Sequence, residues 1–167
     1  MSLYISPAIA SAVRICIDEY KDCDWKGRMY TRLNTEAIPF QNIYEALNLM
    51  TLFWNVIKFP QESTISRTFT GTQNIQEQQI DTFEVVYPED GTRDKIKVEL
   101  SEADMEKKQG EQGTFIVKIR YRQNATWQGH ITWVEENKTV PFRSALELIK
   151  LIDSTQENDV NDWEKED

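Results

Sequence analysis

The sequence predicts an α+β fold: two diverged β-meander-plus-helix (βββα) repeats forming an antiparallel sheet with the helices on one face, plus an inserted β-hairpin. Three observations carry that expectation. Asp24–Met50 aligns without a gap on Thr126–Ile152 at a constant offset of 102 residues, placing Trp25 on Trp127, Gly27 on Gly129, Pro39 on Pro141, Phe40 on Phe142 and Glu45 on Glu147. Each copy opens with period-two alternation, the mark of a half-buried strand, and Val13, Ile15 and Ile17 fall on Phe115, Val117 and Ile119. Each copy then starts a helix by the same device, Asn42 with Glu45 and Ser144 with Glu147, at the spacing of a capping box.

The elements follow in chain order. Met1–Tyr20 lacks a basic leader, and Pro7, Ser11 and Arg14 interrupt its apolar run, so neither a signal peptide nor a membrane span is expected there. It reads as the lead-in to a strand over Ala12–Tyr20. After the first meander, Ile43, Leu47, Met50, Trp54 and Ile57 line one face of a helix that Pro60 ends. Residues 61–79 are polar and aperiodic, a linker. Thr82–Tyr87 and Lys95–Leu100 alternate around Pro88-Glu-Asp-Gly91 and read as the inserted hairpin, followed by a charged stretch in which Ser101 and Asp104 cap one helical turn.

In the second copy Phe115–Tyr121 alternates, a link at 123–125 leads to a strand over Thr126–Val134, and Glu135–Lys138 forms a turn in which Asn137 tolerates a left-handed conformation. The third strand, Thr139–Phe142, contains Pro141 and should lie at a sheet edge or end at the proline. Ala145, Leu148, Ile149 and Ile152 then recur at helical spacing. The resulting division is a first repeat over 1–60, linker and hairpin over 61–113, a second repeat over 114–153 and an acidic tail over 154–167.

Charge is uneven along the chain. The net charge is −9, and Asp153–Asp167 carries seven acids against one lysine, so the body is only mildly acidic. That end reads as a disordered solubilising tail. Cys16 and Cys23 are spaced for neither a disulfide framework nor a metal site and are expected to be reduced thiols.

No catalytic constellation emerges. His130 is the single histidine, with neither a nucleophile nor a second ligand tied to it by spacing, and no glycine-rich loop opens a helix to cradle phosphate. Catalytic residues, metal ligands and cofactors are therefore not assigned. The polar feature that stands out is Lys118, Arg120 and Arg122, alternating on one strand face with His130 on the neighbouring strand. The first copy has Cys16, Asp18 and Tyr20 at the corresponding positions, so the unit does not need those cations to fold. Trp25 and Trp127 share a repeat position and read as core, whereas Trp133 falls on Thr31 and is less explained by the unit.

The pattern W-x-G-x-[IM] followed by P-F-x-[SN]-x-x-E, as in Trp127–Glu147, resembles an uncharacterised family of small bacterial proteins. Those proteins pair a W-x-G strand with a P-F-[RK]-S-x-x-E-L segment before a helix. The second copy is the closer match; the first has Gln41 and Asn42 in place of Arg143 and Ser144. The resemblance covers the two copies alone, implies a cytoplasmic bacterial protein and carries no activity to transfer. The sequence thus favours a non-enzymatic, cytoplasmic binding or regulatory module with a protein partner, neither nucleic acid nor membrane being expected. The alternative is a small-molecule or anionic-ligand binder using Trp133 with Lys118, Arg120 and Arg122; an enzyme ranks third.

Overall fold

The computed structural model describes residues 2–60, 69, 82–122 and 126–156. Among them the chain is α+β, with two antiparallel sheets and four helices. Strands β2 (Val13–Lys21), β3 (Asp24–Tyr30) and β4 (Ile38–Phe40) lead into helix α2 (Ile43–Ile57). Strands β6 (Gly113–Tyr121), β7 (Gln128–Trp133) and β8 (Lys138–Phe142) lead into helix α4 (Ala145–Ser154). These six strands form one sheet in the order β4-β3-β2-β6-β7-β8, with β2 and β6 paired antiparallel at its centre. The predicted link at 123–125, the linker and the acidic stretch beyond Gln156 lie outside the described residues.

The two strand trios keep the same register. Ile17 faces Gly27 and Gly27 faces Phe40; Ile119 faces Gly129 and Gly129 faces Phe142. A β-bulge interrupts both ladders at the same place, between Ile17 and Glu19 and between Ile119 and Tyr121. The glycines answer to that bulge. A Cβ on Gly27 would overlap the Cys16 carbonyl oxygen, and one on Gly129 would overlap that of Lys118, so the neighbouring backbone leaves room for hydrogen alone. Pro39 and Pro141 are exposed on β4 and β8, the two edge strands, where a residue without an N–H is tolerated.

Helix starts follow the residues expected of them. Asn42 Oδ1 accepts from Glu45 N at 2.9 Å, and Ser144 Oγ accepts from Glu147 N at 3.0 Å. Glu45 Oε2 also accepts from Gln41 N, one residue ahead of the cap, at 2.6 Å. Replacing Ser144 with alanine removes the acceptor for an otherwise unpaired N–H and is expected to cost about 1 kcal/mol, read as a lowered urea midpoint at constant slope. A midpoint equal to the parent's would mean that water caps the helix as well as Ser144 does.

One core cluster joins Ile15, Ile17, Trp25, Phe40, Phe115, Val117, Ile119, Ile131 and Phe142 of the sheet with Met50, Phe53, Trp54 and Ile57 of α2 and Leu148 and Ile152 of α4. The tryptophans tie distant segments together. Trp25 is 1% exposed and its indole N–H donates to Asp153 of α4 at 2.8 Å. Trp127 meets Trp54 of α2 edge-on, 5.0 Å between centroids, while Trp54 donates to the Ser11 carbonyl at 2.9 Å. Trp25, which precedes α2, therefore touches α4, and Trp127, which precedes α4, touches α2.

Two segments depart from expectation. The N-terminal lead-in holds strand β1 (Leu3–Ile5) and helix α1 (Pro7–Ala10), the latter opened by Ser6 as cap and Pro7 at its first position. The proposed hairpin is not one. Its second arm contains β5 (Ile96–Val98), which pairs with β1, and its first arm gives β5 only the Val86 carbonyl, which accepts from Lys97 N at 2.8 Å. Its turn does form, with Gly91 at φ 87° and Gly91 N donating to the Pro88 carbonyl. Helix α3 (Glu102–Glu106) starts at Ser101, whose Oγ accepts from Asp104 N. Among the described residues no helix is long and apolar enough to cross a membrane.

Candidate functional site

The sheet has a second, outer face, opposite the residues of the main core. On β2 and β3 it presents Arg14, Cys16, Asp18, Arg28 and Tyr30, and residues 101–111 lie across them. Arg14 is 3% exposed; its Nε donates to the Lys108 carbonyl at 2.6 Å and its Nη2 to that of Glu106 at 3.2 Å. Arg28 grips Asp18 through two nitrogens, at 2.9 and 3.0 Å, and also donates to the Gln109 carbonyl at 2.8 Å. Cys16, Tyr30, Leu100 and Met105 form a small apolar cluster beneath that cover.

Electrostatics on this half follows from the cover. The Arg28 guanidinium holds the Asp18 carboxyl below the usual carboxylate range, burial opposing the effect and the Glu111 N–H adding to it. Burial pushes the Cys16 thiol up to about 11, against the pull of Arg28 and Arg14, so this free thiol stays protonated and unreactive.

On β6, β7 and β8 the same face presents Ile116, Lys118, Arg120, His130, Thr132, Thr139 and Pro141. Lys118 stands directly opposite His130 in the ladder, and His130 opposite Pro141. Lys118 and Arg120 are exposed, and the Arg120 guanidinium lies 5.9 Å from the centroid of the Tyr121 ring. Thr132 and Thr139 hydrogen-bond to each other at 2.8 Å between hydroxyls. Among the described residues, no carboxylate forms an ion pair with Lys118 or Arg120.

Arg122 does not belong to this stripe. The bulge at Arg120 inserts one residue into β6 and reverses the alternation beyond it, turning Arg122 toward the core side. Its side chain is 3% exposed; Nε donates to the Pro60 carbonyl at 2.7 Å, Nη1 to Asn55 Oδ1 at 2.6 Å, and Nη2 to Pro60 as well. It ties β6 to the C-terminal end of α2. Tyr20, displaced by the equivalent bulge in β2, packs against the core, and burial together with the Asp153 carboxylate pushes its hydroxyl up to about 12.

Trp133 is the other correction. It faces Phe115 in the ladder and packs half-buried against the main core, on the face opposite Lys118 and His130. Trp133 and the cations therefore do not line one ligand site. Arg143, one residue past β8 and exposed, is a further cation at this end of the sheet that alternation did not single out. Among the described residues no group of His, Cys, Asp and Glu is placed to hold a metal. No family model, curated protein or solved structure is similar to this chain.

Proposed function

We propose that this chain is a non-enzymatic, cytoplasmic protein-interaction module built from two copies of one βββα unit, with α2 and α4 sharing one sheet face. The identical registers, bulges and caps at a constant offset support the duplication. So do the tryptophan contacts, in which each trio of strands grips the helix that follows the other.

The contact surface is the outer face of β6 and β7. The observation that carries this reading is the unequal treatment of two equivalent faces. Residues 101–111 cover the outer face of β2 and β3, held by Arg14 and Arg28 through backbone carbonyls. The equivalent face of β6 and β7 keeps Lys118 and Arg120 in solvent. A segment of an acidic protein partner supplies there what residues 101–111 supply in cis, its carboxylates and carbonyls meeting Lys118, Arg120 and His130. Two exposed cations and one histidine on this face are fewer than the several phosphate contacts on which nucleic-acid binding draws, so a short acidic polypeptide segment met at close range fits better than a nucleic acid.

Replacing Lys118 and Arg120 together with glutamine is expected to leave stability unchanged to within about 0.5 kcal/mol, because both are exposed and unpaired among the described residues. Parent and variant are then used as baits in lysate of the native cell, with captured proteins identified by mass spectrometry. A protein recovered by the parent, released by salt and missing with the variant supports the proposal. Equal recovery by both baits would reduce the two cations to a solvated strand face.

A further inference from the structure

The two outer faces of the sheet differ in what the chain lays over them. In the first unit, a segment downstream of helix α2 comes back across the outer face of that unit's own strands. The Lys108 and Glu106 carbonyls accept from Arg14 there, and the Gln109 carbonyl accepts from Arg28. In the second unit, the segment downstream of helix α4 is residues 157–167. It holds Glu157, Asp159, Asp162, Glu164, Glu166 and Asp167 against the single cation Lys165. The structure fixes where that segment begins. Gln156 Nε2 donates to the carbonyl of Gln112 at 3.0 Å, so the chain arrives at residue 157 beside the start of β6.

We infer that residues 157–167 compete in cis for the contact surface proposed on β6 and β7, an inference that rests on that reading of the face. Their carboxylates lie on Lys118 and Arg120 until a partner with a longer acidic run displaces them. The chain is long enough. Counted from Gln112, Lys118 and Arg120 stand about 20 and about 26 Å along β6, at ~3.3 Å per residue. Residues 157–167 span up to about 36 Å when extended, which leaves about 10 Å for the turn around the end of the sheet. The charges also match in spacing. Along an extended chain Asp162, Glu164 and Glu166 project to one side about 7 Å apart, the interval between alternate strand residues such as Lys118 and Arg120.

The near part of the face is already taken. Thr114 is buried, its hydroxyl accepting from Gly110 N at 2.9 Å, and Ile116 is half-buried, so the open stretch begins at Lys118. Carboxylates at this end of the sheet hold other groups: Arg28 grips Asp18, and Glu135 Oε2 accepts from Thr114 N at 3.1 Å. The acids that follow Gln156 reach Lys118 and Arg120 at the high effective concentration of an intramolecular contact. Exposed ion pairs of this kind are individually weak, which is what lets a partner replace them.

The test is nuclear magnetic resonance on the full chain, with a nitroxide attached through Asn161→Cys in a Cys23→Ser background; Cys16 is buried. The label is expected to broaden the backbone amide signals of Lys118, Arg120 and His130. Intensity should return when salt rises to about 0.5 M, and when Lys118→Gln and Arg120→Gln are introduced together. Signals that the nitroxide leaves unchanged would overturn the inference, as would broadening that persists in the Lys118→Gln, Arg120→Gln protein. Equal broadening of isotope-labelled chains by separate spin-labelled chains would assign the contact to a second copy and overturn it too. The lysate capture separates this inference from the partner reading. A bait with Asp162→Asn, Glu164→Gln and Glu166→Gln should recover at least about twofold more partner than the parent does, since half-occupancy by a competitor halves apparent affinity. Broadening without any captured protein would keep the contact in cis and remove the partner. Capture that depends on Lys118 and Arg120, without broadening and without that gain, would keep the partner and remove the contact in cis.

Discussion

Gly129→Ala is expected to lower stability by about 3–4 kcal/mol, at the upper end of what overpacking causes and a large share of a domain's typical 5–15 kcal/mol. The added methyl has nowhere to go. It would overlap the Lys118 carbonyl oxygen, a backbone atom held in the β6–β7 ladder, with Ile119 Cα and Lys118 C each 3.0 Å away. Relief requires β6 and β7 to separate at the bulge, breaking ladder hydrogen bonds in the half of the sheet that Trp127 and Arg122 tie to α2. Gly27→Ala meets the Cys16 carbonyl in the same way and should cost the same to within about 1 kcal/mol if the two halves are copies of one unit. Urea unfolding followed by circular dichroism measures both. A cost under about 1 kcal/mol for Gly129→Ala would mean that the ladder yields easily and the close approach is not a constraint. A large difference between the two sites would count against the duplication.

Arg122→Ala should cost about 3 kcal/mol, whereas exposed Lys118 and Arg120 tolerate glutamine. The substitution leaves the Pro60 carbonyl and the Asn55 side-chain oxygen without their guanidinium donor, and it empties a buried volume between β6 and the end of α2. Arg122→Lys should recover only a minor part, since one ammonium on a flexible stem does not reproduce a planar fork reaching both acceptors. If Arg122→Ala unfolds at the same urea concentration as the parent, the side chain is not a structural tie.

That contrast shows what could be read from residues alone and what could not. The meanders, the capped helices and the placement of Pro141 at a sheet edge were legible, because alternation, helical spacing and caps are local signals. Lys118 opposite His130 followed from counting by twos. Arg122 did not, because a one-residue bulge reverses the count and leaves no mark in composition. Trp133 sits on the core face as parity requires, and its separation from the cations was implicit in that parity. The pairing of β5 with β1 joins strands more than ninety residues apart, and neither edge announces its partner. The cover over Arg14 and Arg28 was hidden for another reason: it is held by backbone carbonyls, which every residue possesses.

The prolines at the two sheet margins have a consequence for the protein at high concentration. An antiparallel sheet is open-ended in principle, since each outermost strand repeats the hydrogen-bonding pattern of those within, and copies can add side by side without limit. Here β4 spans three residues with Pro39 at its centre, and β8 spans five with Pro141 next to last. A strand arriving from another molecule would find, at either margin, too few donors to hold a register. The sheet is therefore finite by chemistry as well as by length. Growth by strand addition is suppressed at both margins.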